Sequence, residues 1–234
     1  GPFWDAITTP AALHALKLTV LIVVIAVPLN TLFGIVCALA IVRHRMPAMG
    51  VVNALVDLPL ALSPVVVGLA LFLLYGRDGW FGGWLTAHGV QMLFALPAML
   101  LATMFVSLPF VVREVVPVLR EVGTDAEEAA ATLGGSSSTI FRRITLPAIR
   151  WAVIYGVVLT TARALGEYGA VSVVSGRIAG RTETLTLHVQ AAYESFDTTG
   201  AYAASVLLAG LAILTLVAMT LLRPKEEARG DRGA

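Results

Sequence analysis

Long apolar stretches separated by short polar ones dominate the chain. Leu18–Val42, Leu58–Tyr75, Met92–Val112 and Ala201–Leu222 contain no Asp, Glu, Lys or Arg, and each lies near the roughly 20 apolar residues that a helix needs to cross hydrocarbon. A fifth stretch, Trp151–Ser175, has the same character but is interrupted by Arg163 and Glu167. Pro28, Pro59, Pro64, Pro97 and Pro109 fall in or beside these stretches. Neighbouring helices in a membrane bundle re-satisfy the backbone groups a proline frees, so the pattern predicts kinks there and not breaks. The fold class that follows is all-α, a polytopic membrane helix bundle with about five transmembrane helices.

Composition removes the main competitor, a water-soluble globule. The 234 residues are 58% hydrophobic and 13% charged, against about 25% charged in a typical soluble domain. A net charge of +1 argues against a nucleic-acid partner, which calls for a strong basic excess. Cys37 is the single cysteine. It excludes an intrachain disulfide or a cysteine zinc cluster and reads as a small packed residue.

Charge in the loops sets the orientation, because Lys and Arg concentrate on the cytoplasmic side. Arg43, Arg45, Arg113, Arg120, Arg142, Arg143, Arg150, Arg223, Lys225, Arg229 and Arg232 fall in one alternating set of loops, and only Lys17, Arg77, Arg177 and Arg181 in the other. The first set is cytoplasmic. The segments 76–91 and 176–200 then face outward, residues 1–16 form an outward amphipathic lead-in, and 223–234 are a charged cytoplasmic tail expected to be disordered. Gly1–Leu16 lacks the basic n-region and apolar core of a targeting signal. A further hydrophobic helix ahead of Gly1 is expected, since it would return the amino end to the cytoplasm. No internal repeat appears at a period of 20 to 50 residues.

The longest cytoplasmic stretch carries the most pattern. Thr124 followed three residues later by Glu127 predicts a capping box opening a helix. That helix runs through Glu128, Ala129 and Ala130 to Gly134 and Gly135, where glycine favours a left-handed stop. Ser136–Ser138 offers N-caps for a second short helix, stopped or kinked near Pro147. On physics alone, such a helix-turn-helix is equally a surface hairpin capping the bundle.

The spacing changes that balance. Glu128-Ala129-Ala130, three residues, Gly134, nine residues, Ile144, one residue and Leu146-Pro147 resembles without a gap the EAA signature of permeases of bacterial ABC importers. The runs Ala12–Val20, Val27–Phe33, Asp57–Gly68, Tyr75–Trp84, Phe94–Thr103 and above all Ala162–Gly176 resemble the W-type permease subunit of sulfate/thiosulfate importers. The likeness covers nearly the whole chain apart from the family's first transmembrane helix. It implies a MetI-like permease fold with a transmembrane domain over 17–222 and a coupling hairpin over 121–149. It also implies location in a bacterial inner membrane, a homologous T-type permease as partner, two ATP-binding subunits, and a periplasmic sulfate/thiosulfate-binding protein. By that resemblance Glu128, Ala129, Ala130, Gly134, Ile144, Leu146 and Pro147 are coupling residues. Ile144, Leu146 and Pro147 serve equally well as packing between hairpin and bundle.

The chain carries no visible energy source of its own. A phosphate-binding loop needs G-x-x-x-x-G-K-[ST], and neither Lys17 nor Lys225 follows a glycine. His14, His44, His88 and His188 show no H-E-x-x-H spacing, and G-x-S-x-G is absent. No cofactor or metal is expected on this chain, and it is not read as an enzyme; ATP and Mg belong to a partner.

Arg163 and Glu167 stand inside a span, where one charge costs on the order of 2.5 to 3.5 kcal/mol. Their i, i+4 spacing permits mutual pairing, which locks helices. Equally, Arg163 lends positive potential to an anion's route and Glu167 orients it. Tyr168, Ser172 and Ser175 are candidates for the same path, since hydroxyls and backbone N–H groups hold an oxyanion without a full charge; Gly166 and Gly169 suit helix packing as well. Arg177–Glu183 reads as the surface for a binding protein or as an ordinary solvated loop. Two rival functions remain: an importer of the similar oxyanions molybdate or tungstate, and a secondary anion transporter, which would call for an internal repeat.

Overall fold

The computed structural model describes residues 1–43 and 49–222, and all regular elements among them are helical. A short α1 (Pro2–Ile7) leads into α2 (Pro10–Arg43), so residues 10–16 of the lead-in expected over 1–16 already belong to the first long helix. Next come α3 (Met49–Ala61), α4 (Pro64–Tyr75), α5 (Gly82–Ala87) and α6 (Leu96–Val122). The cytoplasmic segment forms α7 (Asp125–Thr132), α8 (Ser137–Ile140) and a π-turn (Phe141–Thr145) that runs directly into α9 (Leu146–Leu165). The chain finishes with α10 (Gly169–Val174), α11 (Leu185–Glu194) and α12 (Thr198–Leu222). Four of the helical segments are long and apolar enough to cross a membrane, or five if the bent pair α3–α4 counts as one span. The charged tail 223–234, with His44 and Arg45, lies outside the described residues.

Two of the expected spans are broken. Leu58–Tyr75 divides into α3 and α4, which meet at 111°. Ser63 precedes Pro64 and adopts extended backbone, φ −62° and ψ 135°, because the proline ring clashes with an α conformation of the residue before it. Pro28, Pro59 and Pro109 sit inside continuous helices, and Pro97 opens the first turn of α6, a position where the missing N–H costs nothing. The second break falls in Trp151–Ser175. Here α9 ends at Leu165, residues 166–168 turn the chain, and α10 follows as a separate short helix.

At the centre, α6 is packed between α2 and α9. Small residues set how close these helices come. A Cβ added to Gly34 of α2 would lie 2.7 Å from Val111 Cβ of α6, and one added to Gly156 of α9 would lie 2.8 Å from Val111 Cα. Val111 is therefore wedged between two glycines, the close approach that helix packing in lipid rewards. Towards one end the core is Ala38, Val115, Leu119, Ile149 and Ala152; towards the other, Ile22, Val67, Met99, Val106 and Val171. Asn30, fully buried, ties α2 to α6 by donating from Nδ2 to Met104 O and Ser107 Oγ, both at 2.9 Å.

Candidate functional site: the hairpin and the α9–α10 break

The hairpin stands at the end of the bundle where α2 and α6 finish. Leu133 closes α7, and Gly134 follows at φ +82°, a left-handed position that glycine occupies without strain. Gly134 N–H donates to Ala131 O at 3.0 Å and Gly135 N–H to Ala130 O at 2.9 Å. Ser136 caps α8, its Oγ accepting from Thr139 N–H at 3.3 Å. Glu128, Ala129 and Gly134 are exposed, Ala130 is half-buried, and Leu133 offers 89% of its surface. Leu133 was not singled out by sequence reasoning. A large apolar residue directly before Gly134, in a stretch otherwise made of alanines and polar residues, is the signal that could have found it.

Two expectations for this hairpin are corrected. The capping box does not form: Thr124 is the N-cap residue but makes no cap hydrogen bond through its side chain. Its Oγ1 donates instead to Glu128 Oε1 at 2.7 Å. Glu127 turns the opposite way, where its Oε1 accepts from Arg43 Nη2 at 3.0 Å and from Thr145 Oγ1 at 2.7 Å; two charge-assisted partners outweigh one backbone N–H. Pro147 does not stop the second helix either. It lies in the first turn of α9, directly after the π-turn, where Leu146 N–H already reaches back to Phe141 O, and helix continues from Ser137 to Leu165. Leu146 and Ile144 are half-buried at this junction and Pro147 is exposed.

At the other break, Arg163 occupies the last turn of α9 and Glu167 follows the helix end. Arg163 Nη1 lies 2.7 Å from Glu167 Oε2, with side chains 28% and 2% exposed. The contact is electrostatic and not an aligned hydrogen bond, since Oε2 finds no donor at good angle. The other oxygen, Oε1, accepts from Ala170 N–H at 2.8 Å, and Thr186 Oγ1 donates to Glu167 O at 2.9 Å. One buried carboxylate thus joins the carboxyl end of α9, which favours a cation, to the amino end of α10. Close packing fixes α10 in turn: a Cβ on Gly169 would meet Pro64 Cβ of α4 at 2.8 Å.

The remaining candidates separate. Tyr168 borders an open groove of about 560 Å³ with Thr186, Gln190, Tyr193, Tyr202 and Ser205. Ser172 spends its hydroxyl on Gly169 O at 2.8 Å. Ser175 is fully buried and accepts from Arg177 N–H at 3.1 Å, which places it in the turn after α10 and away from the groove. In the outer segment Arg177–Glu183, residues 177–181 are exposed and the last two are buried. Thr182 is buried, donating to Ser175 O at 2.6 Å, and Glu183 is buried against His188 Nδ1 at 3.2 Å.

Residues 30–227 match the family described as binding-protein-dependent transport system inner membrane component. The chain is 55% identical over 219 residues to the sulfate transport system permease protein CysW of Synechococcus elongatus, covering 94% of this chain and 75% of that one. It is 47% identical over 231 residues to CysW of Escherichia coli K12, covering 99% and 79%. Among solved structures, it resembles a bacterial ABC transporter involved in the import of the acidic polysaccharide alginate, with a TM-score of 0.76 at 16% identity over 94% of this chain and 80% of that one. With the family match spanning the bundle and the hairpin at its end, the chain belongs to the multi-pass inner membrane components of binding-protein-dependent transport systems.

Proposed function

We propose that this chain is the permease subunit of an ATP-driven importer of sulfate and thiosulfate in a bacterial inner membrane. It would form half of a translocation path with a homologous T-type permease as the other half. The observation that carries the reading is the exposed face of the hairpin, Glu128, Ala129, Leu133 and Gly134, presented beyond the core of a bundle that has no nucleotide motif. Small side chains permit close approach, Leu133 supplies an apolar anchor, and Glu128, held by Thr124, is an acceptor for a basic partner group. Two separate ATP-binding subunits, carrying ATP and Mg, dock on this face and its counterpart in the partner permease. A periplasmic binding protein delivers the anion from outside.

Similarity to the CysW proteins supports the choice of anion. The groove beside Tyr168 supplies hydroxyl groups of the kind that hold a tetrahedral oxyanion without a fixed full charge. ATP binding draws the hairpins together and favours the outward-open state; hydrolysis and release reverse it, an alternation driven by the different affinity of the two states for nucleotide.

Reconstitution of the complete transporter in vesicles tests this. ATP-dependent accumulation of radiolabelled sulfate, suppressed by thiosulfate and little affected by molybdate, is the expected result. Dominant competition by molybdate would reassign the anion. Accumulation against a gradient by this permease without any ATP-binding subunit would overturn the mechanism.

A further inference from the structure

The hairpin is joined covalently to α6 and, through the π-turn, to α9. It has no covalent link to α2, and a cavity of about 650 Å³ separates them, with Val36, Leu39 and Ala40 of α2 on one wall and Ile140 and Phe141 of the hairpin on the other. Arg43, in the last turn of α2, bridges this gap. Its Nη2 donates to Gly123 O at 2.8 Å and to Glu127 Oε1 at 3.0 Å, and its Nη1 reaches Leu119 O at 3.4 Å. The two carbonyls belong to the end of α6, where helix carbonyls lack partners within the helix and the dipole favours a cation. Glu127 in turn accepts from Thr145 Oγ1 in the π-turn. Arg43 and Glu127 are 16% and 21% exposed, so the pair, which borders the cavity, is partly shielded from water and is stronger than a surface ion pair.

Neighbouring glutamates on α7 have opposite tasks. Glu128 faces outward, whereas Glu127 faces the bundle and spends its carboxylate inside it. We infer that Arg43 and Glu127 are positioning residues that transmit displacement of the hairpin into α2. The inference rests on the proposed docking of an ATP-binding subunit at this hairpin. Without the bridge, a push on α7 is taken up by rotation about Gly123, which leaves α6 at a φ of +69° with open space around the position of an added Cβ, and by closure of the cavity. With it, the hairpin moves as one body with α2, α6 and α9, which are already packed on one another.

The complete transporter in vesicles, with its binding protein, gives the test: ATP hydrolysed per anion accumulated. Arg43→Ala and Glu127→Ala are expected to retain the ATP-binding subunit on co-purification and to keep hydrolysing ATP, while the ratio of ATP to anion rises on the order of tenfold. Arg43→Lys recovers part of the coupling, because an ammonium reaches Glu127 Oε1 but lacks the fork to hold both carbonyls. An unchanged ratio in both alanine variants overturns the inference, as does loss of the subunit together with a normal ratio in Glu127→Gln. If the alanine variants fail to assemble, a raised ratio in Glu127→Gln supports it. The docking reading fails separately: Glu128→Ala with Gly134→Val would then leave the ATP-binding subunit bound, whatever the clamp variants do.

Discussion

Two ion pairs, one at the hairpin and one at the α9–α10 break, are built differently. Arg163 and Glu167 are i, i+4 neighbours closed within one segment, with the carboxylate 2% exposed. Arg43 and Glu127 lie 84 positions apart, at 16% and 21% exposure, and with Leu119 O and Thr145 they join four elements, α2, α6, α7 and the π-turn. A local pair stabilises the turn that contains it. A long-range pair makes separate helices move together, which is why the first reads as a structural joint and the second as a transmission point.

Variants of the two pairs, graded by burial, test that contrast. The largest effect is expected for Glu167→Ala. It strands the Arg163 guanidinium and the Ala170 N–H, and breaking a buried pair in this way costs about 3–5 kcal/mol. The yield and thermal midpoint of the purified transporter should both fall, and a midpoint equal to the parent's would show that the pair is idle. Overpacking comes next: Gly156→Val pushes carbon into Val111 and should cost about 1–3 kcal/mol, again seen as a lowered midpoint but with the hairpin's docking untouched. Gly134→Val forces a β-branched residue to φ +82° at about 1–3 kcal/mol of local strain, which should weaken retention of the ATP-binding subunit more than it lowers the midpoint.

Leu133→Asp should change stability by no more than about 0.5 kcal/mol, read as a near-parental midpoint, since the side chain is 89% exposed, yet reduce docking measured by co-purification. The smallest effect belongs to a third pair, Asp57 with Arg113 at 3.0 Å, whose side chains are 48% and 57% exposed. In the purified transporter, a double-mutant cycle of Asp57→Asn and Arg113→Gln should return under about 1 kcal/mol. A larger coupling there would mean that a neighbouring subunit buries it.

Local chemistry made part of this legible. The apolar stretches, the glycine stop at Gly134 and the Ser136 cap were readable because each depends on residues a few positions away. The Arg163–Glu167 contact was readable for the same reason. Capping was misassigned at Glu127 because a local motif competes with tertiary partners that no window of sequence contains, here Arg43 and Thr145. Pro64 and the 166–168 turn were misjudged for a related reason. A proline or glycine in a span permits a kink or a break equally, as Pro59 inside α3 and Pro64 after extended Ser63 show, and α10 then packs against the start of α4 through Gly169. Ser175 and Glu183 looked available in the linear chain, but the folding of the outer segment buried both.

The sequence alone determined that the chain is a helical membrane bundle with a patterned segment at one end, because apolar length and motif spacing are properties of contiguous residues. Tertiary structure alone decided where the spans break, which of two adjacent glutamates faces outward, and how α2 is tied to the hairpin, because those outcomes depend on competition between groups far apart in the chain for the same space and the same donors.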